Sequence, residues 1–359
     1  MGVSGLNKLI TTYGNNSISY KQFKDYRGTV QGLDASLTLY KFCLATVKTN
    51  NFKNNNGKII GHLFACMSKT RSMLNYGIMP VWIFDGKPPN IKKDILSKRR
   101  KDREDAYQKL KMNIVKENVV DNSSLTINNR LEKKTFTISK VLISEVKQLL
   151  DLMGIPYIDS PEEADAQCSA FNIANVCYGV VSDDWDVLLF GCKKMLKNFS
   201  NKNMVIEIDS KQLIESLGMT SKDQLIDLCL LYGTDYCPGI KGLNKIQLYD
   251  LFKMLEFNVE SLVEYLKINY LSVKIPSNFL EKYYKAKEYY IHAPVIDPEK
   301  IKKNIVWKEP QYNRLHKYLV INNGFPINKI NEFIIDLKTM YKFYEEKCRL
   351  STISYLRKS

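Results

Sequence analysis

Histidine is nearly missing from this chain. Three stand far apart in 359 residues, His62, His292 and His316, so neither a zinc site nor a histidine-based triad has support. The eight cysteines form no C-x-x-C pair and read as reduced thiols. No apolar run approaches the roughly 18 residues of a membrane span, so no membrane association is expected. The start lacks a secretory hydrophobic region, and "MGVSGL" has Leu6 where a myristoylation signal needs Ser or Thr. Acid is also short against base: 38 Asp and Glu face 53 Lys and Arg, a formal net charge of +15. Any metal must therefore be held by oxygen. The surplus of base fits a polyanionic partner, since basic surfaces release counterions condensed on nucleic acid.

Against that background, the aspartates are placed unusually. "VVSDDWDVLLFG" (180–191) packs Asp183, Asp184 and Asp186 into four positions at the mouth of an apolar segment. Mutual repulsion makes such a cluster costly without a cation among them; a solvated turn is the plain alternative. Two more apolar runs share the design. "VQGLDAS" (30–36) runs into Asp34, and "MPVWIFDG" (79–86) into Asp85. Short β-branched and aromatic runs between helical patterns predict buried parallel strands of an α/β sheet. Ligands of such sheets bind at the carboxyl ends of the strands, so all three runs deliver acid to one edge.

"DSPEEADAQCSAF" (159–171) adds Glu163 and Asp165. A helix start accounts for Glu162 and Glu163, and poorly for Asp165. "YGTDY" adds Asp235, beside a glycine-bracketed turn between two helical patterns. Such turns can offer backbone N–H groups to phosphate. Paired carboxylates with single acids at strand ends suit two magnesium or manganese ions about 4 Å apart, which activate water and stabilise a leaving phosphodiester oxygen. Between Asp85 and Glu163 runs "KKDILSKRRKDREDAYQKLK" (92–111), with Lys98, Arg99, Arg100, Lys101 and Arg103 among residues 98–103. A charge run is usually a solvated helix face; its place after a strand end favours a substrate-facing role. "NNFKNNNGK" (50–58) reads as a turn or loop without chemistry.

Taken in order, "MGVSGL", "LDAS", "FDGKPP", "LMGIPY", "PEEADAQC", "SDDWDVLLFG" and "LLYGTDYCPGIKG" resemble the structure-specific flap endonucleases of archaea and eukaryotes. These belong to the wider 5′-nuclease superfamily. The resemblance runs from residue 1 to about 245 and continues weakly to about 340. It implies a PIN-like, mostly parallel sheet flanked by helices, a helical arch and a helix-three-turn-helix element. One nuclease domain is expected over 1–340. Within it, an N-terminal nuclease segment covers 1–87, the arch 88–137, an internal nuclease segment 138–215 and the helix-turn region 216–280. A short tail follows at 341–359.

The same resemblance implies seven metal-site carboxylates: Asp34, Asp85, Glu163, Asp165, Asp184, Asp186 and Asp235. Asp165 stands where the family usually has Glu; Asp183 is left as a helper or a cap. Lys92 and Arg99 match the arch pair on the scissile phosphate. Tyr40 matches an aromatic that stacks on the terminal nucleotide, although by itself it reads equally as core. Gly2 matches a residue whose amino end lies near the site. Lys98, Arg100, Lys101 and Arg103, with Gly239, Lys241, Gly242 and Lys245 of the turn, are the expected DNA contacts. Two Mg2+ ions are expected, with Mn2+ as a substitute.

Two departures stand out. The family's turn is usually Gly-hydrophobic-Gly-Pro-Lys; here it is Gly242-Leu243-Asn244-Lys245-Ile246. Family members hold a potassium ion there; Asn244 and Gly239 shift the expected duplex grip from K+ toward Lys241 and Lys245. "TISYLRKS" lacks the glutamine and paired aromatics of a clamp-binding peptide, which puts recruitment by a sliding clamp in doubt. The expected activity is a divalent-metal-dependent 5′ flap endonuclease acting on DNA flaps, nicks and junctions as a monomer. A 5′→3′ exonuclease or junction resolvase of the same superfamily is the alternative. An inactive scaffold would have lost carboxylates, and none is missing. The expected location is intracellular: the nucleus, or the cytoplasm for a cytoplasmic DNA virus, whose AT-rich genome would fit the Lys, Asn, Ile and Tyr richness.

Overall fold

A seven-stranded sheet organises the protein. The computed structural model describes residue 3 and residues 5–47, 53–54, 57–116, 131, 135 and 137–356. The strands are β1 (Ile18–Lys21), β2 (Val30–Asp34), β3 (Met79–Phe84), β4 (Tyr157–Asp159), β5 (Gly179–Val181), β6 (Lys194–Lys197) and β7 (Val205–Asp209). Their order is β1-β7-β6-β5-β2-β3-β4. The five strands from β6 to β4 run parallel, and β7 pairs antiparallel with both β6 and β1.

The three apolar runs are the centre of this sheet. Val81, Trp82, Ile83 and Phe84 are all buried, as parallel strands covered on both faces require. The helix Ala164–Ile173 packs across β2, β3 and β5, and the helices Ala35–Val47 and Gly61–Asn75 pack against β3. Trp82 Nε1 donates to Thr70 Oγ1 at 3.3 Å, and Trp307 Nε1 donates to the Pro80 carbonyl at 3.1 Å. Both indoles thus bury their rings with the polar atom satisfied. Seven described cysteines are buried free thiols.

Register sets the catalytic edge. Asp34 lies opposite Ile83, and Leu33 opposite Val181. Asp34, Asp85 and Asp184 therefore leave neighbouring strands within a few residues of one another.

Beyond the sheet, Lys93–Lys116 forms one basic helix; residues 117–130, 132–134 and 136 of the expected arch lie outside the described residues. The helices Lys222–Tyr232 and Lys245–Met254 flank the glycine turn. Two expected boundaries need correction. Residue 280 falls inside the helix Phe279–His292, which packs on the helix Lys222–Tyr232 and reaches the acid cluster. Residue 341 falls inside the continuous helix Ile327–Leu356, so no break separates a tail there.

Candidate active site

Each acid reaches the edge by a different local device. Asp34 ends β2 and accepts the Leu37 N–H at 3.0 Å, capping the helix it precedes. Asp85 follows β3, and its Oδ1 accepts the Ala164 N–H at 2.9 Å. That cap comes from another strand because the local capping residue, Glu163, turns its side chain elsewhere. Gly86 makes the approach possible. Its N–H donates to the Glu162 carbonyl at 2.7 Å, and a Cβ there would stand 2.1 Å from the Ser160 carbonyl oxygen. Only glycine lets the two segments close this tightly. Asp184 Oδ1 accepts the Asp186 N–H at 3.4 Å, a turn that aims both side chains before the short helix Asp186–Leu189.

Electrostatics show that these groups share one space. Burial pushes Asp34 up to about 8, with the charges of Asp85, Asp184 and Glu163 adding to it. Burial and then Asp184 push Asp186 to about 8 against the pull of Lys92 and Tyr290. Asp165 is held well above the ordinary carboxylate range by burial, then by Asp34, Asp184, Asp186 and Asp85. Six of the seven acids thus feel one another directly. Asp235 joins through Glu163 and Asp186, which both feel its charge.

Basic side chains enter from the arch. Lys92 Nζ lies 2.7 Å from Glu163 Oε2 and 4.0 Å from Asp235 Oδ2, and 5.1 Å from the Tyr236 ring centroid. Burial works against its charge, but Glu163 and then Asp235 hold its pKa above the ordinary lysine value. Glu163 is nevertheless raised, because burial with Asp85 and Asp235 outweighs its lysine partner. Arg99, on the exposed face of the helix, donates from Nη2 to Asp235 Oδ1 at 2.7 Å and Oδ2 at 2.8 Å.

The donor set fits divalent metal. It is all oxygen, and two of its atoms, Asp165 Oδ1 and Asp186 Oδ1, are sealed from solvent without a hydrogen-bond partner. Carboxyl oxygens sealed in that state need a cation beside them to ionise. Among the described residues no three such donors close round a single point. Ions that keep several waters, as magnesium does, need no such cage.

Other expected residues divide. Tyr40 is half-buried on the helix Ala35–Val47, six positions past Asp34. Gly2 lies outside the described residues. Lys98, Arg100 and Lys101 are exposed along the helix; Arg103 is half-buried and its Nε donates to the Arg99 carbonyl at 3.3 Å. Asp183 proves to be a structural anchor: it pairs with Lys41 and accepts the Asn198 N–H at 3.1 Å. Burial opposes its charge, but Lys41 and Asn198 hold it below the usual range.

The glycine turn bears on two expectations. Lys245 is engaged within the fold: its Nζ donates to the Tyr232 carbonyl at 2.7 Å and lies 5.0 Å from that ring, closing the end of the preceding helix. Gly239 sits at φ 65°, where a Cβ would stand 2.5 Å from Gly233 N, so it shapes the turn and leaves the DNA-facing set. Asn244, at φ −64°, caps the helix Lys245–Met254, its side chain accepting the Ile246 N–H. Lys241 and Gly242 remain exposed.

Sequence reasoning missed Lys274, whose backbone pairs with Lys241 and which adds an exposed ammonium beside it. It also missed Lys69 and Lys197, which burial pushes down to about 8. Lys197 stands 3.5 Å over the ring of Trp185, the residue between Asp184 and Asp186. The second tyrosine of "YGTDY", Tyr236, whose ring lies 5.1 Å from Lys92 Nζ, is a further residue that sequence reasoning misses.

Acid converging on the carboxyl edge of a parallel sheet, under a basic helix, defines the class: an α/β nuclease dependent on divalent metal. The chain belongs to the flap endonuclease family of XPG-type nucleases. The XPG N-terminal domain matches residues 1–106 and the XPG I-region residues 154–235. Flap endonuclease 1 of Glycine max is 35% identical over 344 residues, covering 94% of this chain and 87% of the relative. The structure of flap endonuclease-1 from Methanococcus jannaschii matches with TM-score 0.67 and 26% identity, over 90% of this chain and 96% of that one. The catalytic core of Rad2 in complex with DNA substrate shares the fold, at TM-score 0.68 and 23% identity over 94% of this chain and 100% of that one.

Proposed function

We propose that this chain cleaves phosphodiester bonds of branched DNA as a 5′ flap endonuclease, with Asp34, Asp85, Glu163, Asp165, Asp184, Asp186 and Asp235 as its metal-site carboxylates. The observation that carries this reading is the pair of sealed, partnerless oxygens on Asp165 and Asp186 within that cluster. Two bound Mg2+ ions, or Mn2+ in their place, supply water activation and stabilise charge on the leaving oxygen.

The protein's own groups do the rest. Lys92 and Arg99 hold positive charge at the mouth of the acid cluster, where a scissile phosphate would exchange places with Glu163 and Asp235 as their partner. Such preorganised cations act most where charge develops in the transition state. Lys98, Arg100 and Lys101 lie on the same basic helix and hold the strand without reading its sequence. Tyr40 stacks on the unpaired terminal base. Lys241 and Lys274 grip the downstream duplex phosphates, with a potassium ion at the turn contributing less. We place the protein inside the cell, in the nucleus or in the cytoplasm of a virus-infected cell, acting as a monomer.

The direct test is cleavage of a panel of 5′-labelled flap, nicked and four-way-junction DNA with and without Mg2+. Metal-dependent incision at the flap base supports the reading. Stepwise shortening from the 5′ end of nicked duplex identifies an exonuclease, and symmetric cuts in the four-way junction identify a resolvase. Matched KCl and NaCl reactions test the potassium site: a strong potassium preference contradicts the lysine-dominated grip.

A further inference from the structure

Tyr290 lies on the helix Phe279–His292, 104 positions from Asp186, and its hydroxyl donates to Asp186 Oδ2 at 3.0 Å. Both residues are buried. The ring is fixed by Phe190, at 5.0 Å and 54°, and by Tyr236, edge-on at 5.0 Å. Thr234 Oγ1 accepts the Tyr236 and Cys237 N–H groups at 3.1 and 3.3 Å. The ring contact with Tyr236 therefore seats Tyr290 against the loop carrying Asp235.

Packing alone does not call for that hydroxyl. Phe252, Phe279 and Phe333 fill equally buried positions with bare rings. A phenol placed in an apolar wall costs desolvation unless its O–H is used. Here it is used on one oxygen of one carboxylate. The opposite oxygen, Asp186 Oδ1, is sealed from solvent and has no partner. The two halves of the carboxylate are thus divided: one is tied to the protein, the other is presented to the shared acidic space.

We infer that Tyr290 is a positioning residue for the divalent-metal site, holding Asp186 Oδ2 so that Oδ1 alone faces the ion. Outer hydrogen bonds of this kind fix the orientation of a ligand, and their loss commonly weakens metal binding about 10–100-fold. The inference rests on the metal-site reading of the acid cluster.

Tyr290→Phe removes the hydroxyl and keeps the ring. The decisive measurement is titration of the DNA-free protein with Mn2+, following the free ion by electron paramagnetic resonance. We expect about 10–100-fold weaker binding at the Asp186 site. The Mg2+ needed for half-maximal single-turnover cleavage rises in parallel, and much of the rate returns at saturating Mg2+. Metal-free melting falls modestly, because buried Asp186 Oδ2 loses its donor, and that fall alone does not support the inference. In an Asp186→Asn background the same substitution has no further effect on Mn2+ binding. Unchanged Mn2+ affinity in Tyr290→Phe overturns the inference, whether or not melting falls, and a fall in melting alone assigns the hydroxyl to stability. Asp186→Ala separates the two readings: if it leaves Mn2+ binding intact, the metal site itself is misplaced. If it abolishes binding while Tyr290→Phe does not, only the tyrosine's role fails.

Discussion

Lys92 and Glu163, 71 positions apart in the chain, meet at 2.7 Å between Nζ and Oε2. The contact joins the foot of the basic helix to the acid cluster, so the residue that would meet a phosphate is stored against a carboxylate. On the proposed reading, substrate would compete with Glu163 for one ammonium group.

That competition separates catalysis from binding. Lys92→Ala and Arg99→Ala should each lower single-turnover cleavage about 10²–10³-fold, the size of loss seen when one transition-state donor is removed. Flap affinity should change little, because the rest of the basic surface still holds DNA. Gel shifts and quenched-flow cleavage on the same substrate measure both. Equal losses in the two would make these residues general phosphate contacts.

Asp184→Ala and Asp186→Ala test the metal cluster. Rates should fall by several orders of magnitude, while DNA binding persists or tightens as repulsion toward phosphate is removed. Near-normal Mg2+-dependent cleavage by both variants is the outcome that defeats the assignment.

The turn lysines should behave oppositely to one another. Lys245→Ala removes a charged hydrogen bond to the Tyr232 carbonyl, and should cost about 1–2 kcal/mol of stability with little change in duplex affinity. Lys241→Ala with Lys274→Ala should leave melting unchanged. It should weaken duplex binding and lower the salt dependence by about one phosphate contact per lysine. A Lys245→Ala variant that melts normally but binds duplex poorly would restore Lys245 as a DNA contact.

A pH effect is built into the helix Gly61–Asn75. His62 is buried, with Nε2 2.7 Å from Glu145 Oε2 and Nδ1 without a partner. Burial pushes its pKa below 6.5, despite the raising pull of Glu145. The unfolded chain therefore takes up this proton first as pH falls through about 6.5, and the native state loses stability below that point. Glu145 does not confuse the window. Burial opposes its charge, but Lys58 and His62 hold its pKa below 4.5, so its contribution fades only in stronger acid. Asp34 and Asp186, pushed up to about 8, titrate in the same window with the opposite sign in metal-free protein, so the test is a difference: between about pH 7.5 and 5.5 the parent should lose stability relative to His62→Gln. Parallel curves would show that His62 is not the titrating group.

Much of the site was legible in the chain because its acids end apolar runs. "VQGLDAS" and "MPVWIFDG" became β2 and β3 with Asp34 and Asp85 at their carboxyl ends, since strand length and burial follow from local composition. The motifs carrying Asp184, Asp186 and Asp235 were equally local. What tertiary structure decided are contacts between distant segments. Lys245 looked like a phosphate ligand until the helix Lys222–Tyr232 presented its last carbonyl. Asp85 looked like a metal ligand alone, and also caps a helix that begins 79 positions later. Tyr290 joined the site from the helix Phe279–His292, where its tyrosine pair reads as packing. Periodicity reports which face of an element is buried; the partner waiting there depends on how separate elements cross, and that is settled only when the whole chain packs.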